Sequence, residues 1–178
     1  MKWVTRDHVH MDRVASPWLI KRFIDRDAVF GFLPFGNEGA IPGDAIAFAI
    51  PGVEIGPHDR DGSTFRKLKQ KYDLTHPAIE MMAEIIESGI THVFHHGDPG
   101  YSVANLKYPQ GMGLDAIAIG MMYATGDDAE NLEKSMAIYD GLFAYCRVML
   151  LLEEKPEIAD IPPPQYWHVV KDELSRRP

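Results

Sequence analysis

With 178 residues, 46% of them hydrophobic, the chain can bury a full core without disulfides or metal staples, and one domain spanning residues 1–178 is expected. A formal net charge of −8 and a pI near 5.4 leave no basic footprint for nucleic acid, and the short runs Lys67 to Lys71 and Arg176-Arg177 read as solvated faces. The single cysteine, Cys146, excludes an internal disulfide and points to a reducing compartment; no apolar leader opens the chain, and Asp140 and Arg147 interrupt its most apolar stretch, so a cytoplasmic protein without a membrane partner is expected.

Lys2 to Arg6 has the β-branched and aromatic content of a short strand. It runs into Asp7-His8-Val9-His10-Met11-Asp12-Arg13, after which Ser16 and Pro17 read as the N-cap and first residue of a helix over 17–25. Such a strand-to-helix junction exposes backbone N–H groups at the positive end of a helix dipole, which favours a binding or reaction site. A solvated loop in which Asp12 caps the helix one turn earlier accounts for the same residues.

Apolar runs at 28–34, 45–50 and 53–56, separated by Gly-, Asn- and Pro-containing turns, read as three further strands. Pro57 to Gly62 is a loop, and Ser63 caps a helix through Tyr72. Helical periodicity covers 77–88, and Gly89 marks a break before the polar segment Thr91 to Tyr101. Helices at 114–125 and 128–152 follow, the second capped by Asp127 or Asp128 and striped by Leu132, Met136, Tyr139, Leu142, Phe143 and Cys146. Cys146 is therefore expected to be a buried thiol. Consecutive prolines at 162–164 imply an extended tail over 156–178. The fold class is α+β: a small sheet in the N-terminal third, packed by a mostly helical C-terminal two-thirds.

Three polar clusters stand out: His8/His10/Asp12, Glu54/His58/Asp59 and His95/His96/Asp98. Imidazole and carboxylate ligands without thiolate suit iron, manganese or zinc in a catalytic or sensing site. Gly56 and Pro57 keep Glu54 and His58 off a helix, which excludes the metalloprotease helix motif. His8, His92 and His168 read as surface residues.

The segment His10-Met11-Asp12-Arg13-Val14-Ala15-Ser16-Pro17-Trp18-Leu19-Ile20 resembles the opening signature of the chromate-resistance ChrB family, in its C-terminal domain. Val53-Glu54-Ile55-Gly56-Pro57-His58 with Ser63-Thr64-Phe65, and later Ile138-Tyr139-Asp140-Gly141-Leu142, resemble two further motifs of that family in the same order. Ser63 stands where the resemblance leads one to expect a cysteine, and the regulatory region of longer members has no counterpart here. The resemblance implies a cytoplasmic role in chromate or oxyanion stress, and its shared polar positions are His10, Asp12, Arg13, Glu54, His58 and Asp98.

Two functions follow as expectations. In a mononuclear metalloenzyme, His10, Glu54 and His58 bind a divalent iron, manganese or zinc ion, Asp98 or His96 completes the shell, Asp12 orients His10 or caps the helix, and Arg13 holds an anionic substrate. That convergence requires strand 2–6 to lie beside strand 53–56. In a sensing or binding domain, the same residues take up chromate or an organic oxyanion without chemistry. Arg13 in a salt bridge with Asp12 or Asp59 is the plain structural alternative. A homo-oligomer is compatible with either function.

Overall fold

The computed structural model describes residues 1–177, apart from the side chain of Glu38. Its sheet has three strands, β1 (Lys2–Arg6), β2 (Val29–Leu33) and β3 (Ala45–Ala47), all parallel and ordered β2-β1-β3. Lys2 sits opposite Val29 on one side and Ala45 on the other, and Arg6 sits opposite Leu33. Trp3, Val4 and Thr5 are buried, as a central parallel strand covered on both faces requires. The expected strand at 53–56 is reduced to one parallel bridge between Phe48 and Ile55, so nothing places Glu54 beside β1.

The first helix, α1 (Asp12–Leu19), starts earlier than Ser16-Pro17 implies and carries Pro17 inside it. Pro17 has no N–H to return to the Arg13 carbonyl, and the helix loosens past Leu19 into a π-turn over Ile20–Ile24. Trp18 stands among Phe23, Phe65 and Phe143 in the core. Its indole N–H donates to Asp140 (2.8 Å), and Arg22 grips the same carboxylate with two bonds.

Helix α2 (Thr64–Lys71) begins at Ser63, whose hydroxyl accepts from the Arg66 N–H as expected. Lys67 is no solvated lysine: its side chain is 13% exposed and bonds Asp59 and the Pro57 carbonyl. Helix α3 (Pro77–His95) passes straight through Gly89, which therefore does not break it. Glycine there allows the backbone of α4 (Gln110–Ala124) to approach at Gly111, where no Cβ fits.

Helix α5 (Asp128–Glu154) is long and apolar enough to cross a bilayer by length and composition alone. Several of its polar side chains make contacts within the domain: Asn131 and Ser135 bond each other, Tyr139 bonds the Met11 carbonyl and Asp140 bonds α1. Asp127 caps it through the Glu130 N–H. The tail is not extended throughout: a 3₁₀ turn at Pro156–Asp160 and a helix α6 (Gln165–Ser175) fold back on α5, burying Ile158 and Val170 against Leu151.

Candidate functional site

Function is built from the end of β1. The chain leaves Arg6 and turns through residues 7–11 with left-handed backbone at His8 (φ 55°) and Met11 (φ 43°), a conformation that costs non-glycine residues on the order of 1–3 kcal/mol. That strain is held by one ridge of α5. Asp128 accepts from the amides of His8 (2.9 Å) and Val9 (2.8 Å), Asn131 donates to the Val9 carbonyl (2.9 Å), and Tyr139 donates to the Met11 carbonyl (3.0 Å). The loop is therefore a fixed platform rather than a solvated connection.

The platform borders a cleft of about 170 Å³ at the carboxyl edge of the sheet, between the ends of β1 and β3. Chain order reverses there, because β2 lies on one side of β1 and β3 on the other, and such switch points are where open parallel sheets bind ligands. Arg6, His10, Arg13 and His58 line it, with Ile90 and Phe94 of α3 as an apolar wall. The His58 ring stacks on Phe94 at 6.2 Å. Drug-sized ligands occupy roughly 300–1,000 Å³; this volume suits a small ion or a short organic acid.

Arg13 pairs with neither Asp12 nor Asp59. Its guanidinium donates to the carbonyls of Asp7 (3.2 Å) and His8 (3.0 Å), and burial together with nearby Arg6 holds its pKa below the usual arginine value. Asp12 is the one carboxylate lining the cleft, and it faces inward. Its oxygens accept from the amides of Thr64 (2.8 Å) and Phe65 (3.0 Å) and from the Ser16 hydroxyl (3.3 Å). So Asp12 caps a helix as expected, but the helix is α2 and not its own. Burial pushes its carboxyl above the ordinary carboxylate value, against the pull of those donors.

A residue that sequence reading missed stands behind His10. Asp115 of α4 is buried, and its Oδ1, which has no hydrogen-bond partner, lies 3.5 Å from His10 Nε2. Its only sequence signal was a lone carboxylate inside the apolar helical stretch Gly113 to Met122. Burial lowers the His10 pKa from 6.5, Asp115 and Asp12 act to raise it, and Arg13 acts with burial.

The structure therefore brings together His10, Asp12, Arg13 and His58 and leaves out the other expected ligands. Glu54 is exposed and ion-paired with Lys71 on α2. His96 sits at the end of α3, bonded to the carbonyls of His92 and Val93, and Asp98 pairs with His95 (2.7 Å). Among the described residues no three His, Cys, Asp or Glu side chains lie close enough to hold a metal ion.

Residues 3–146 match the family model described as ChrB, C-terminal domain. The chain belongs to that family, which is linked to chromate resistance. It is 29% identical over 145 residues to Protein ChrB of Cupriavidus metallidurans, a match covering 81% of this chain and 40% of that protein. The chain thus spans less than half the length of this relative. No solved structure matches it. Every residue bordering the cleft, and the ridge of α5 that holds its platform, falls within the ChrB match; α6 lies outside it. Ser63, standing where a cysteine was expected from the ChrB resemblance, is fully buried and bonds Glu87, so no thiol faces the cleft from that position.

Proposed function

We propose that this chain is an oxyanion-binding domain that takes chromate, or a small oxyanion of similar shape, in the cleft at the carboxyl edge of its sheet. The observation that carries the reading is the balance of charge in that cleft. Two guanidiniums border it, with two imidazoles as further donors, while the one carboxylate in its lining is turned onto the amides of α2. On a chain of net charge −8 this is a local reversal of sign, suited to drawing in an anion. The planar donors of arginine match tetrahedral oxyanions. Binding is favoured over catalysis because Asp12, expected to act on a substrate, is engaged by the α2 amides.

Equilibrium dialysis with chromate, and with sulfate as competitor, tests this. Arg6→Gln and His58→Ala should each weaken binding about tenfold or more, the loss expected when one charge-assisted hydrogen bond is removed. Equal affinity in the parent and both variants would sink the proposal. A mononuclear metal centre held by the His10 and His58 rings, with solvent filling the rest of its shell, is the second reading, supported by both imidazoles lining one cleft. It predicts metal in protein purified without additions, and loss of that metal in His58→Ala.

A further inference from the structure

The last turn of α3 carries a second arrangement of imidazoles, outside the cleft. His92 and His96 are four residues apart, so they share a face, and their ring centroids are 5.4 Å apart with planes inclined at 36°. His96 Nδ1 lies 3.1 Å from the carbonyl oxygens of both His92 and Val93. Both oxygens can only accept, so in the neutral ring Nδ1 holds the proton and Nε2 keeps its lone pair. His92 Nδ1 lies 2.7 Å from the Tyr101 hydroxyl, which can accept that ring's N–H and leave its Nε2 in the same state. A ligating histidine is normally prepared this way, with one nitrogen anchored to an oxygen and the other bare.

Distance and charge agree with that preparation. Two Nε2 atoms at about 2.0–2.1 Å from one tetrahedral ion set their ring centroids roughly 5 Å apart, close to the separation found. The C-terminal end of a helix carries partial negative charge and favours a cation. Residues 91–106 contain no lysine or arginine, and their one acid, Asp98, is taken by His95.

We propose that His92 and His96 form a two-imidazole clip for a divalent first-row transition ion, with water completing its shell. The clip is separate from the cleft and independent of its ligand. The two residues next to His92, Val93 and Phe94, border the cleft, so an ion bridging His92 and His96 pins the turn that forms the cleft wall.

Zinc titration by calorimetry on the full chain tests the clip. The parent should bind one Zn²⁺, and His92→Ala and His96→Ala should each weaken binding about tenfold or more, since either change leaves a monodentate site. His95→Ala and His58→Ala should bind zinc like the parent. The His96 ring is exposed and its hydrogen bonds run to the last carbonyls of its own helix, so the fold should not depend on it, and circular dichroism of His96→Ala should match the parent. Chromate affinity of His96→Ala should stay unchanged, which separates failure of the clip from failure of the cleft. Absence of zinc binding in the parent, or binding abolished by His95→Ala or His58→Ala instead, would overturn the proposal.

Discussion

The carboxylate of Asp12, the first residue of α1, caps α2 by accepting from the Thr64 and Phe65 amides at 2.8 and 3.0 Å. With Ser63 taking the Arg66 amide, the first three N–H groups of α2 are satisfied by two side chains from different parts of the chain. Asp12→Ala should leave the amides of two buried residues without partners and cost about 2 kcal/mol or more. Asp12→Asn keeps one acceptor and should cost less. Urea midpoints of the three proteins check the order, and an unchanged midpoint in Asp12→Ala would contradict the capping role.

Where α3 crosses α4, the two backbones touch. A Cβ on Gly111 would lie 2.4 Å from the Gly89 nitrogen and 2.5 Å from the Ile85 carbonyl oxygen, both backbone atoms that cannot swing away. A Cβ on Gly89 would also meet the Met11 sulfur at 3.0 Å. Gly111→Ala should therefore cost about 1–3 kcal/mol, the usual range for overpacking, and separate the helices that carry Phe94 and Asp115. Thermal unfolding and chromate binding should both worsen. At Gly120, where an added Cβ meets nothing, the same substitution should leave both intact.

What the sequence disclosed was whatever local chemistry decides. Ser63 and Asp127 cap helices because their side chains reach amides a few residues on, and Tyr139 and Cys146 are buried because helical periodicity puts them on the core face. His10, Asp12, Arg13 and His58 were legible as a group from composition and resemblance. What failed depended on partners far along the chain. Glu54 needed a strand beside β1, a matter of long-range register, and β3 took that place. Gly89 reads identically as a helix break or as a close crossing until its partner Gly111 is known. Asp115 gave too little local signal, since the imidazole it faces comes from another part of the chain.

Cys146 is fully buried on α5, and burial pushes its thiol up to about 12. Since the thiolate is the reactive form, labelling by a disulfide reagent at neutral pH should be far slower in the native protein than in urea. Replacement by Ala should leave chromate binding unchanged. Rapid stoichiometric labelling without denaturant would show that α5 opens at that position.

The pairing of His10 with Asp115 makes a pH dependence with a definite sign. Burial is the largest influence on His10 and lowers its folded pKa below 6.5; Arg13 acts the same way, while Asp115 and Asp12 oppose it. As pH falls, the unfolded chain therefore takes up the proton first, so the stability His10 contributes is present above about 6.5 and is lost as pH drops through its folded value. Unfolding midpoints measured between about pH 7.5 and 5.5 should fall less steeply in His10→Gln than in the parent. An oxyanion in the cleft favours the imidazolium, so sulfate should bind the parent more tightly as pH is lowered across that window. In His10→Gln the tightening should shrink. If stability and sulfate affinity follow the same pH curves with and without the imidazole, His10 neither titrates in that window nor touches the anion.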